Sequence, residues 1–248
     1  MTQYNQTANI VPEADAFEVT DATDPGTTIR RRKTRDRLIE AAYEVFSESG
    51  VPGAAVETIC ERAGFTRGAF YSNFSTKEEL FFALMERENN ARVSRLEGSV
   101  AAVLPELHNS AEALTEEFIV RLLDNFFGAQ AVDRRWCLVQ EEFALLAMRS
   151  SEVAAEYRAF SHDFFEKLAA VVTSALTSVG LRFRGEAVDV VKLLAGVYER
   201  ALRESLLEGS LDSTAGGPGV GGQGFDNTVT LVPAVVLALT ERIPRAGV

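Results

Sequence analysis

The sequence is poor in the residues that carry metal, redox and nucleophilic chemistry. Its 248 residues include two cysteines, Cys60 and Cys137, and two histidines, His108 and His162. There is no Cys-x-x-Cys pair, and neither histidine stands at ligand spacing from the other or from a cysteine, so no metal site and no cofactor are expected. A nucleophile elbow and a P-loop are missing as well, so an enzyme has no specific support and no catalytic residue is assigned. No apolar run approaches the ~20 residues of a membrane span, and no charged-then-apolar leader opens the chain. A soluble, reduced, cytoplasmic protein without a membrane partner is expected.

Positive charge is also scarce. The formal net charge is −11, which argues against a protein that coats nucleic acid with its whole surface. Residues 1–29 carry five acids and no base, whereas residues 30–80 carry nine bases against eight acids. Arg30, Arg31, Arg32, Lys33, Arg35 and Arg37 crowd the start of that second region, with Asp36 the one acid among them. Such a patch has the size to meet a few phosphates.

What the sequence does contain is helical period. Residues 1–29, polar and acidic, read as a disordered lead. Leu38, Ala42, Val45 and Phe46 mark a first amphipathic helix that Gly50 stops, and Val56, Ile59, Cys60 and Ala63 mark a short second one ended by Gly64. Thr66 suits the N-cap of a third helix reaching about Phe74, with Phe70 and Phe74 inward. Ser75 with Glu78, and Thr76 with Glu79, both fit a capping box that opens a fourth helix, expected over residues 76 to about 97. Two short helices joined by a tight glycine turn make a helix-turn-helix, whose second helix is presented to the major groove. On that helix Arg67, Gly68, Ala69, Tyr71, Ser72 and Asn73 point outward. Arg67 can reach guanine N7 and O6, and Tyr71 and Lys77 suit phosphate oxygens. An ordinary helical corner with a solvated face fits the period equally well.

Beyond residue 85 the pattern is helix after helix, with breaks near Pro105, Asn109, Gly128, Asp133 and Gly180–Gly185, and no strand period. The fold class is therefore all-α: a three-helix helix-turn-helix domain over residues 30–80, then a larger helical bundle over 81–248. A flexible glycine-rich loop is expected at 209–226. Its "GPGVGG" matches a dinucleotide fingerprint in letters only, since no strand precedes it and no helix start follows. The helix 133–149 is apolar nearly all round. Trp136, Gln140, Glu141, Phe143 and Ala147, with Phe118, Leu122 and Phe126 on the preceding helix, could line an apolar cavity for a small effector; a plainly packed core is the alternative. Val190, Leu194, Val197 and Ala201, with Val232, Val235, Val236 and Leu239, offer more apolar surface than one bundle edge hides, so a homodimer built on the last two long helices is expected.

"TRDRLIEAAYEVFSESG", "ERAGFTRGAFYSNF" and "STKEELF" closely resemble the amino-terminal domain of the TetR family of bacterial transcriptional regulators, over about residues 34–84. The resemblance implies a homodimeric, usually repressing regulator that binds a palindromic double-stranded DNA operator and is released by a small ligand. It puts Thr66, Arg67, Gly68, Ala69, Tyr71, Ser72, Asn73 and Lys77 on the DNA-contacting surface, to which the basic cluster Arg30–Lys33 adds. Three features depart from the family pattern: Asn73 where histidine is common, Cys60 where alanine is common, and Ala54 and Ala55 where a hydroxyl residue would cap helix two. Two other classes compete: a DNA-binding regulator without an effector, controlled by its abundance, and an all-α enzyme or carrier with an incidental helix pair.

Overall fold

The computed structural model describes residues 25–109, 134–208 and 232–243. The helices are α1 (Pro25–Gly53), α2 (Val56–Ala63), α3 (Arg67–Tyr71), α4 (Lys77–Asn109), α5 (Arg134–Arg149), α6 (Ser151–Ser178), α7 (Ala187–Leu207) and α8 (Val232–Ala238). Two short strands, β1 (Leu181–Phe183) and β2 (Thr240–Arg242), pair antiparallel, with Arg182 opposite Glu241. They correct the expectation that no strand is present. Each is too short for alternation to be counted, and each gains its pairing only from a segment distant in sequence.

The local stop signals act where the sequence placed them. Gly50 (φ 69°, ψ 166°) kinks α1 out of helical geometry, and Gly64 (φ 69°, ψ 37°) caps α2 in the left-handed region with its N–H on the Cys60 and Glu61 carbonyls. Thr66 accepts the Ala69 N–H at 3.2 Å, a cap worth about 1 kcal/mol. At α4 the Thr76 hydroxyl accepts the Glu79 N–H at 3.0 Å, and the Glu79 carboxylate accepts the Ser75 N–H at 2.6 Å. The box is therefore Thr76 with Glu79.

Three boundaries differ from expectation. Helix α1 begins at Pro25, inside the segment expected as a disordered lead; residues 1–24 lie outside the described residues. Helix α3 stops at Tyr71, short of Phe74. Helix α4 runs through the exposed Pro105 to Asn109, because a proline removes one hydrogen bond while the turns on either side keep theirs.

Two hydrophobic clusters organise the chain. The first joins Leu38, Phe46, Ile59, Phe70, Phe74, Phe81 and Leu84 to Trp136, Val139 and Phe143 of α5. The second gathers Val93, Leu96 and Val100 of α4, Leu168 and Leu176 of α6, Leu181 and Phe183 of β1, and Val190 and Val191 of α7. Packing is thus continuous across residue 80, and α5 belongs physically to the amino-terminal body.

Candidate nucleic-acid interface

The short helix α3 owes its position to residues on both sides of it. Phe70 is fully buried and Phe74 nearly so, which fixes the helix against α1 and α2. Arg35 of α1 donates to the Asn73 carbonyl at 2.5 Å and lies 4.1 Å from the centre of the Phe74 ring. Arg37 donates to the Ala63 carbonyl at 2.7 Å and stacks on Phe65. The basic cluster therefore divides. Arg35 and Arg37 bolt α1 to the turn regions, while Arg30, Arg31, Arg32 and Lys33 stand exposed.

The outward surface of α3 carries Thr66, Arg67, Gly68 and Tyr71, with Ala69 half-buried and Ser72 exposed at the C-cap. Arg67 Nη1 lies 2.6 Å from Glu57 Oε1 on α2, and Nη2 donates to the Tyr71 hydroxyl at 3.4 Å. The Tyr71 hydrogen bond and the Glu57 carboxylate both hold the guanidinium pKa above its ordinary value, and like any arginine it is a permanent cation. A Cβ added at Gly68 would meet no atom closer than the Thr66 hydroxyl at 3.7 Å. Among the described residues nothing asks for glycine there, although a helical glycine costs about 1 kcal/mol relative to alanine. The bare backbone instead suits close approach by something outside.

Two expected DNA contacts are placed differently. Asn73 is buried, its amide donating to the Ala69 carbonyl at 2.8 Å and to the Ser72 hydroxyl at 3.2 Å. The cause is the early end of α3: the chain turns after Tyr71 and folds Asn73 back under the helix. Lys77 donates to the Pro52 and Ala54 carbonyls at 3.2 and 3.3 Å, so two of its three N–H donors tie α4 to the turn ahead of α2. Glu57, which the sequence analysis did not single out, stands beside Arg67 on the same exposed face. Ala55, as expected, gives α2 no side-chain cap.

Of the expected effector-lining residues, the five on α5 lie among the described residues. Phe118, Leu122 and Phe126 lie outside the described residues. Phe143 is 1% exposed, packed edge-on against Phe81, Phe82, Tyr157 and Phe160. Trp136 is buried under the Arg92 guanidinium, 4.2 Å from its ring. Gln140 donates to Glu199 of α7 at 2.7 Å, and Glu141 forms an ion pair with Arg203 at the surface. Ala147 is half-buried. An apolar stripe on a helix shows that it is buried without showing against what, and here the partner is the amino-terminal core. Although the sequence makes this helix apolar nearly all round, Leu145 and Met148 on the opposite side of α5 are 39% and 75% exposed. Burial raises the pKa of Glu199, opposed by the Gln140 hydrogen bond.

Of the expected dimer residues, Val190, Ala201 and Val232 are already buried within the protomer. Leu194, Val197, Val235, Val236 and Leu239 are half-buried. The outward stripe of α7 runs instead through Leu193, Gly196, Arg200 and Leu207. No group of three or more metal-ligating side chains occurs among the described residues, and no described helix is long and apolar enough to cross a membrane.

Residues 38–84 match the family described as bacterial regulatory proteins, tetR family. The uncharacterized HTH-type transcriptional regulator TtgW of Pseudomonas putida is 44% identical over 59 residues, 24% of this chain and 44% of that protein. The HTH-type transcriptional regulator SrpR of Pseudomonas putida is 26% identical over 201 residues, 72% of this chain and 89% of that protein. The chain thus spans less than half of the first relative and most of the second. Two crystal structures share the fold. One is a tetR-family regulator from Mesorhizobium loti, with a TM-score of 0.60 at 19% identity over 83% of this chain and 98% of that one. The other is FadR from Bacillus subtilis in complex with stearoyl-CoA, with a TM-score of 0.55 at 18% identity over 82% of this chain and 95% of that one.

Proposed function

We infer, from a chain that belongs to the tetR family of bacterial regulatory proteins, a cytoplasmic homodimeric repressor that grips a palindromic DNA operator and releases it when a small, largely apolar effector binds. The observation that carries the DNA-binding part is the surface of α3. It offers a capped helix start, a permanently charged Arg67, a glycine that nothing internal requires, and an exposed Tyr71 hydroxyl. Arg67 supplies donors for a guanine edge, Tyr71 and the spare Lys77 donor suit phosphates, and Arg30–Lys33 add charge without sequence preference. Homodimerisation is supported by the exposed Leu193 and Leu207 on α7, at 53% and 83%. Full-length protein should enrich a palindrome from a random duplex pool, with affinity falling as salt rises. Failure to enrich any sequence would refute the reading.

The effector part is supported by the half-buried polar pair Gln140–Glu199 between α5 and α7, beside Trp136, and by a shared fold that holds stearoyl-CoA in FadR. A ligand there would have to bind the DNA-free form better, and a difference of about 1–3 kcal/mol changes operator affinity about 5- to 150-fold. A second reading, a regulator without an effector, is favoured by the solid packing of Trp136, Val139 and Phe143, at 5%, 0% and 1% exposure. Trp136 is the only tryptophan, so its fluorescence separates the two. Under the effector reading, compounds that change the emission also release DNA.

A further inference from the structure

The ion pair between Glu57 and Arg67 is unusual in where it stands. Both side chains are about half exposed, at 52% and 59%, and the pair links the first turn of α2 to the first residue of α3. Exposed ion pairs add only about 0–1 kcal/mol to stability. A carboxylate on a surface meant for DNA also repels every phosphate it approaches, so this one weakens nonspecific binding. What it does locally is fix Arg67. With Nη1 on Glu57 and Nη2 on Tyr71, the guanidinium is tethered from both helices of the motif, and three of its five N–H donors stay unengaged, more than a bidentate contact needs.

We propose that Glu57 is a specificity-determining positioning residue: it holds the Arg67 guanidinium in the plane that meets one base edge, and its charge penalises duplexes that give Arg67 no such edge. The inference rests on the reading of α3 as the DNA-reading helix. Two physical effects combine in it. An arginine ordered before binding loses less side-chain freedom on docking, which raises affinity for the right sequence. A carboxylate brought near DNA without a compensating contact lowers affinity for the wrong one. The competing role for Glu57 is simple: an acid in the first turn of α2 complements the helix dipole where Ala55 provides no cap. That role does not involve Arg67.

The test uses the full-length protein and the duplex it enriches from random DNA, with a scrambled duplex as reference. Affinities for both are measured for the wild type, Glu57→Gln, Arg67→Ala and the double variant, with thermal unfolding to verify folding. Glu57→Gln should lower the preferred-to-scrambled ratio roughly tenfold, tighten binding to the scrambled duplex, and flatten base preference at one position per half-site. In the Arg67→Ala background Glu57→Gln should leave the ratio unchanged, and Glu57→Asp alone should recover part of it. Equal tightening on both duplexes would reduce Glu57 to a bulk repulsion, and a loss that persists without Arg67 would assign it to α2 alone; either overturns the proposal. A wild type that enriches no sequence overturns the DNA-binding reading, and this inference with it.

Discussion

The two hydrophobic clusters are finished to different degrees. In the amino-terminal one Leu38, Ala42, Ile59, Phe70, Leu80, Leu84 and Val139 have no exposed surface. In the carboxy-terminal one the most buried member is Ala169 at 3%, and Val93, Val100, Leu176 and Phe183 each keep 9%. The outward side of α7 adds Leu193 and Leu207, more than half exposed. The first body closes over its core with α1 to α5 and with Tyr157 and Phe160 of α6, which suits the rigid presentation of side chains that the proposed function asks of α3. The second, among the described residues, leaves apolar surface for something else to cover, and a second copy is the simplest cover.

The largest expected effect breaks that second body. Leu193→Glu with Val236→Glu should give monomers by sedimentation, and loss of bivalency should cost about 10²–10⁴-fold in affinity for a palindrome. The folded head should survive with its own unfolding transition. A variant that stays dimeric would move the interface elsewhere.

Next comes the first core. Phe143→Ala should cost about 3–5 kcal/mol, because four aromatic neighbours close around it and cannot collapse into the gap. Leu176→Ala, in the looser cluster, should sit near the low end of such losses, about 2 kcal/mol. Urea midpoints compare them, and equal losses would erase the contrast between the clusters. Because α5 packs on α1, Phe143→Ala should also weaken operator binding, although it lies in the part expected to hold an effector.

A smaller effect separates reading from clamping on the DNA face. Arg67→Ala should cost about 1–3 kcal/mol on the operator and relax one base preference per half-site. Lys77→Ala should weaken operator and random duplex alike. It should also lower stability, since its ammonium holds the Pro52 and Ala54 carbonyls. A specificity change in Lys77→Ala, or none in Arg67→Ala, would exchange the two roles.

What the sequence made legible is what is decided within a few residues. The left-handed cap at Gly64, the Thr66 cap and the inward Phe70 and Phe74 all follow from local spacing. What it hid depends on partners far along the chain. Arg35 and Arg37 looked like two more members of one basic patch, yet their guanidiniums end on the carbonyls of Asn73 and Ala63. Asn73 continued the outward period of a helix that stops at Tyr71. Phe143 was recognisable as apolar, but what its stripe packs against depends on α4 and α6, which supply its four aromatic neighbours, and no count along α5 contains that. Glu57 gave no signal except its place four residues past the start of the Gly53–Ala54 turn, on the exposed side of α2.

The smallest effect probes the polar layer between the bodies. Glu199 is pushed to a higher pKa by burial, with Glu141 adding to the rise and the Gln140 hydrogen bond, Arg203 and Arg92 opposing it. A carboxyl whose folded pKa exceeds its unfolded one binds more protons when folded, so stability falls as pH rises through that window. Above the window Glu199 is ionised and costs stability; below the ordinary 4.5 it is protonated in both states and costs nothing. Glu199→Gln keeps a partner for Gln140 and removes the charge. It should therefore unfold at higher urea than the wild type at pH 8, and the gap should shrink as pH falls toward 5, while shared titrations elsewhere cancel in the difference. A gap that stays constant with pH would mean that the layer is solvated, and would take from α7 the contrast between a closed head and an open body.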